Sequence, residues 1–206
     1  AGENACVLHY SRNESRICEG DLVLIDAGCE FEYYAADVTR TYPANGRYSQ
    51  AQRALYDIVL RANRAAIDAC CPGVDFNQPH YIATKILVEG LITLGLLTGS
   101  ADALIASGAH QKFCPHKTSH WLGLDVHDVG DYRLGDRWRD LMPGMALTIE
   151  PGIYIPRDAS TVDILDAYRG IGIRIEDAVL ICEHGCQVLT EDLINCLLYT
   201  SDAADE

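Results

Sequence analysis

The sequence predicts an α+β fold, and three observations carry the prediction. An apolar run, LVLID at 22–26, leads into an aromatic and β-branched stretch, EFEYYAADVTRTY at 30–42. Segments with helical apolar spacing follow between residues 49 and 97. From 109 onward the chain returns to short apolar runs broken by Pro143-Gly144 and Pro151-Gly152. Strands, then helices, then strands again, with no internal repeat, is the α+β order.

Residues 6–10 and 22–43 read as strands. LVLID is bounded by Gly20 and Gly28, as a buried strand would be, and the stretch after it is able to return antiparallel. A helix starts near Ser49. Ser49 and Gln52 have capping-box spacing, and Leu55, Ile58, Val59 and Ala62 make an apolar stripe that Pro72-Gly73 ends. A second helix covers about 77–97, with Ile82, Ile86, Leu87, Leu91 and Leu94 as its apolar face, and a short third one covers about 101–107. At 171–176 strict alternation puts Ile171, Ile173 and Ile175 on one face and Gly172, Arg174 and Glu176 on the other. Arg174 and Glu176 therefore share a strand face, with a glycine leaving space beside them.

Composition narrows the function classes. With 49% apolar and 22% charged residues, 206 residues suffice for one domain with a substantial core. No run of eighteen apolar residues marks a membrane helix, so no membrane partner is expected. A net charge of −14 would repel phosphate, which argues against nucleic acid and leaves peptides, small molecules and metal cations as ligands. Nine cysteines, an odd number, without a signal peptide read as reduced thiols of a cytoplasmic protein. Adjacent Cys70 and Cys71 suit packing; Cys182 and Cys186 flank a hairpin turn at 183–185 and make only a weak zinc signal.

Both ends look non-native. Residue 1 is Ala, and residues 196–206, CLLYTSDAADE, resemble the translation of a transposase-type sequencing adapter. The expectation is a native segment at 1–195, cut at both ends, followed by a non-native tail.

Five residues make a candidate metal-ligand set: Asp26, Asp37, His120, Glu150 and Glu176. Asp26 and Glu150 end apolar runs, and Asp37 lies on the expected partner strand. A lone buried carboxylate costs several kcal/mol unless compensated. Four carboxylates and one imidazole match the needs of two divalent cations, and such oxygen-rich donors suit Mn²⁺, Co²⁺ or Zn²⁺. Two such ions activate a water and polarise a carbonyl, for which peptide hydrolysis is the natural use. His116, His120 and His127 fall within twelve residues. One serves as a ligand; the others are placed to bond substrate or shuttle a proton. From spacing alone, His9 reads as structural, and His80 and His184 as surface residues.

The phrases around these residues are IDAGCEF, DVTRTYP, SHWLGLDVHDVG, EPGIYI and YRGIGIRIED. Their order and content closely resemble the metal-dependent pita-bread peptidases of family M24, and within them the Xaa-Pro aminopeptidases. The resemblance spans 1–195. It implies a pseudosymmetric, curved antiparallel sheet flanked by helices, with two divalent metal ions, usually Mn²⁺. It implies that Asp26 binds one ion, that Asp37 and Glu176 bridge the two, and that His120 and Glu150 complete the second. Glu150 would also assist proton transfer. His116 and His127 would contact substrate and support the tetrahedral intermediate. His9 would be a further substrate-side histidine, reversing the reading from spacing, while Arg174 and Tyr154 would orient the ligands.

The implied reaction removes an N-terminal residue when proline follows it, so the implied partners are peptides with proline in second position. The resemblance also implies a homo-oligomer, and an N-terminal domain, a first catalytic-domain helix and a C-terminal tail that 1–195 lacks, with apolar sheet surface exposed as a consequence. Xaa-Pro dipeptidase is the nearest alternative, using the same ligands. A methionine aminopeptidase fits the phrases less well. A non-catalytic binding module or a creatinase-like relative would lack the ligand set.

Overall fold

The computed structural model describes residues 1–159, 166–193 and 195; the tail expected at 196–206 lies outside them. The α+β order holds, and every strand pairing among the described residues is antiparallel.

The chain opens with a 3-10 turn at Gly2–Cys6, and His9 sits in the turn after it, so the strand expected at 6–10 does not form. The segment crosses a strand instead of pairing with one. Where a Cβ on Gly172 would stand, the backbone of Ala5 lies 2.5 Å away. The space that glycine leaves is filled by main chain. The stretch 22–43 is not one continuous strand either. β1 (Leu22–Ala27) pairs with β4 (Val38–Pro43), and a small hairpin of β2 (Glu30–Phe31) and β3 (Tyr34–Ala35) lies between them. Glu32 and Tyr33, at φ 49 and 68, turn that hairpin. β1 is buried only at Leu22; Ile25 is 50% exposed. An apolar run therefore overstated its burial.

Helix α1 (Gln50–Asp68) starts on the expected capping box, with the Ser49 and Gln52 side chains each bonding the other's backbone N–H. Leu55, Ile58, Val59 and Ala62 are buried against the sheet strands. Helix α2 (Gln78–Thr93) packs on α1 at Gly90, where a Cβ would stand 2.6 Å from Ile58. It stops four residues short of the expected end, because Gly95 takes the left-handed conformation at φ 72. Helix α3 (Ala101–Ala106) follows.

A minor hairpin, β5 (Arg133–Leu134) with β6 (Arg137–Trp138), leads to the last sheet region. Strands β7 (Ala146–Ile149) and β8 (Gly152–Ile155) run on with only Glu150 and Pro151 between them. Strands β9 (Ile171–Arg174) and β10 (Asp177–Ile181) return alongside, β9 on β8 and β10 on β7, and β11 (Cys186–Val188) closes on β10 through the 183–185 turn. Ile171, Ile173 and Ile175 point into the main core, as their alternation predicts. Glu150 and Glu176 fall in the two gaps between the paired ladders.

Candidate metal centre

Antiparallel register assembles the site. In the β1–β4 pair Asp26 stands opposite Thr39, and Asp37 immediately precedes β4. Gly28 is required there, because a Cβ would collide with the Ala36 carbonyl. Thr39 then makes a bridge to Glu176, whose N–H donates to the Thr39 carbonyl at 3.0 Å. The 118–122 segment lies along β7. Glu150 N–H donates to Thr118 O at 2.7 Å, and Thr148 N–H donates to His120 O at 3.0 Å. Four separate stretches of chain thus bring their acids and imidazole to one point.

Asp37, His120 and Glu176 each offer a ligand atom, and these atoms lie within 4.8 Å of one another. His120 Nε2 is 3.5 Å from Asp37 Oδ2 and 3.5 Å from Glu150 Oε1. His120 Nδ1 faces the Trp121 carbonyl at 3.0 Å, so Nδ1 carries the proton and donates it there. In neutral His120, Nε2 then turns a lone pair toward the carboxylates. Asp26 stands at the edge, its side chain 41% exposed, accepting from Arg174 Nη2 at 2.5 Å.

The electrostatics favour a cation. Burial pushes Glu150 up to about 7, with Asp37 and Asp26 adding to the rise while His120 and Arg174 oppose it. Burial pushes Glu176 up to about 8, helped by Glu150, Asp37 and Asp26 and opposed by its bond from Thr39. Burial acts to lower His120, yet the bonds its protonated form makes to Asp37 and the Trp121 carbonyl, with the nearby glutamates, raise it overall. Buried acceptors that repel one another around an imidazole lone pair fit divalent cations. No third donor of this kind joins Cys182 and Cys186 among the described residues.

A hydrogen-bonded frame holds the donors. Thr39 Oγ1 donates to Glu176 Oε2 at 2.7 Å and accepts from Arg174 Nε at 3.2 Å. Arg174 Nη1 donates to Tyr154 Oη at 2.8 Å, and Tyr154 donates to His116 Nε2 at 2.8 Å. His116 Nδ1 donates to the Lys117 carbonyl at 2.8 Å, and burial pushes this imidazole down to about 4. Both His116 nitrogens are thus engaged within the protein, with Glu150 Oε2 at 3.7 Å from Nδ1. His127 is exposed and sits edge-on to His120, the ring centres 4.4 Å apart. His9 lines a cavity of about 590 Å³ together with Asp26 and Arg174. His9, His116, His127, Arg174 and Tyr154 therefore lie around the candidate ligands Asp26, Asp37, His120, Glu150 and Glu176.

Several residues here escaped the sequence reading. His80 is not a surface residue. It is half-buried on α2, its Nδ1 2.9 Å from Thr118 Oγ1, and burial pushes it down to about 4. Arg40 and Asp177 form a buried ion pair at 2.7 Å, and Arg40 Nη1 also donates to Glu176 O at 2.6 Å. Asn63 bonds the strands from α1. A signal existed for Asn63 alone, as a polar residue beside the apolar stripe of its helix.

The pattern of metallopeptidase family M24 matches residues 1–183. The Xaa-Pro aminopeptidase of Escherichia coli strain K12 is 52% identical over 194 residues, a match covering 94% of this chain and 43% of that protein. The human Xaa-Pro dipeptidase is 39% identical over 220 residues, covering 92% of this chain and 45% of that protein. The solved structure of Pseudomonas aeruginosa aminopeptidase PepP superposes with a TM-score of 0.92 at 52% identity, covering 94% of this chain and 43% of that one. The chain thus spans less than half the length of these relatives.

Proposed function

The chain belongs to metallopeptidase family M24 and has its pita-bread fold, and from that premise we propose that it carries the active centre of an Xaa-Pro aminopeptidase. The observation that carries the reading is the convergence of Asp37, His120 and Glu176 within 4.8 Å, with Glu150 beside them. Its similarity to the Escherichia coli enzyme supports the substrate class.

In this reading the centre holds two divalent cations, Mn²⁺ by preference, with Co²⁺ or Zn²⁺ compatible with the same donors. Asp26 would serve one, His120 and Glu150 the other, and Asp37 and Glu176 both. When bound, the cations supply an activated water and a polarised scissile carbonyl. Glu150 would hold on a carboxylate oxygen the proton that the attacking water gives up and the leaving nitrogen takes. His116, His127 and His9 orient the peptide. Arg174 keeps Asp26 and, through Thr39, Glu176 in place. None of these roles needs an N–H from the residue after the scissile bond, which is what proline lacks.

No helix among the described residues is long and apolar enough to cross a membrane. The eight described cysteines are free thiols, which supports a cytoplasmic enzyme. We assign it no nucleic-acid partner, on its charge, and a homo-oligomeric complete protein.

The test is Mn²⁺-dependent release of the first residue from an Xaa-Pro-Yaa tripeptide, with Glu150→Gln as control. Release that the variant loses supports the aminopeptidase. Cleavage of Xaa-Pro dipeptides alone would instead favour the dipeptidase activity named for the human relative. A folded protein inactive on both, and binding no metal, would be a binding module.

A further inference from the structure

We propose that Asn63 is a positioning residue that holds Glu150 and Glu176 at metal-binding geometry, by tying the peptide groups in front of them to helix α1. The inference rests on the reading that these two glutamates bind the cations. Asn63 lies within α1 and is 1% exposed. Its Nδ2 donates to Ile149 O at 3.1 Å and faces Ile175 O at 3.5 Å, the second at the long end for such a bond. Both partners are carbonyls, so only the NH₂ side of the amide fits between them.

Ile149 and Ile175 immediately precede the two glutamates; Ile149 ends β7, and Ile175 follows the last residue of β9. A peptide group is a rigid plane, so fixing its C=O and its N–H fixes the Cα that follows. The N–H of Glu150 donates to Thr118 O at 2.7 Å, and that of Glu176 to Thr39 O at 3.0 Å. Each plane is therefore held by Asn63 at its oxygen and by a neighbouring segment at its nitrogen.

The sheet cannot do this alone. The β7–β10 ladder ends at Ile149 opposite Asp177, and the β8–β9 ladder begins at Gly152 opposite Arg174. Glu150, Pro151, Ile175 and Glu176 lie between, where the crossing bond from Ile175 N–H to Pro151 O is long, at 3.4 Å. The helix supplies a constraint at the place where ladder pairing is interrupted. Burying an amide beside Val59, Ala62 and Ala66 is costly unless its bonds are made, and packing alone would be served by an apolar side chain.

The test measures Mn²⁺ binding by titration calorimetry, with kcat, KM and thermal stability, in the complete protein carrying Asn63→Ala, Asn63→Ser or Val59→Ala. Asn63→Ala is expected to weaken Mn²⁺ binding about tenfold or more and to lower kcat more than it raises KM. Asn63→Ser retains one donor and should fall between; it carries the test if the alanine variant does not fold. Val59→Ala makes a cavity on the same helix, and should lower stability while leaving Mn²⁺ affinity within about twofold. Unchanged Mn²⁺ affinity in the Asn63 variants overturns the proposal, as does an equal loss in Val59→Ala. A parent protein that binds no Mn²⁺ overturns this proposal and the site reading together, whereas normal parent binding with indifferent Asn63 variants overturns this one alone.

Discussion

The two walls of the centre are built differently. The inner wall carries Asp37, Glu176 and the backing residues Thr39, Arg40 and Asp177, all buried. Glu176 is fixed there by the Thr39 hydroxyl on its carboxylate and the Thr39 carbonyl on its N–H, and Asp177 by Arg40 and by the Thr190 hydroxyl at 2.7 Å. The outer wall carries Asp26, His9 and His127, all exposed, on a strand end, a turn and the loop after His120. There Asp26 rests on one short ion pair, and His127 meets His120 by its ring edge. Under the proposed function the difference would separate two tasks. Cations need donors fixed to a fraction of an ångström, while a peptide that enters and leaves needs one side that yields.

Substitutions on the inner wall should therefore have the largest effects. Glu176→Gln keeps the shape but removes a charge from the point where three donor atoms meet, and it should abolish stoichiometric Mn²⁺ binding and lower kcat/KM by about a thousandfold or more. Metal analysis beside tripeptide kinetics checks this; retention of both cations would break the distinction between the walls. Asp26→Asn, on the outer wall, should remove one cation and leave the other, so that calorimetry reads one site where the parent reads two. Loss of both would show that the walls act as one unit.

The frame between the walls gives a smaller effect. Thr39→Val deletes the hydroxyl that accepts from Arg174 and donates to Glu176. Mn²⁺ affinity should fall about tenfold. Stability should fall by about 1–3 kcal/mol, because the buried groups Thr39 served lose a partner. Tyr154→Phe cuts the link from Arg174 to His116 without touching a ligand. It should leave Mn²⁺ affinity within about twofold and lower kcat/KM about tenfold, roughly the loss of one charge-assisted bond. A Tyr154 variant that loses metal instead would move His116 from the substrate side to the ligand frame.

Legibility in the sequence followed the same division. Asp26 and Glu150 stood out because each carboxylate ends an apolar run, and the first helix announced itself by its periodicity and its capping box. Of the frame, alternation placed Arg174 beside Glu176, but the partners of Thr39 and Asn63 could not be read. Asn63 meets Ile149 across 86 positions, and Thr39 meets Glu176 across 137; no local pattern encodes such a meeting. His80 looked like a surface residue because its neighbour Thr118 belongs to a distant segment. The strand misread at 6–10 has a similar cause. A five-residue run, four of them apolar, does not by itself require a pairing partner, and Gly172 offers that segment a place to cross rather than pair.

The smallest effect tests whether the stiffness of the inner wall is local or borrowed from the fold at large. Ser49→Ala removes the side-chain half of the capping box that opens α1, the helix that also carries Asn63. It should cost about 1 kcal/mol. In a chain of this size that is a shift of about 2–4 °C in Tm. Fraying at the first turn does not reach Asn63 fourteen residues on, because the intervening turns are anchored in the core by Leu55, Ile58 and Val59. Mn²⁺ affinity and kcat should thus stay at the parent values while Tm falls. If affinity falls in step with Tm, the donors are held by global stability, and the contrast between a fixed wall and a yielding one loses its basis.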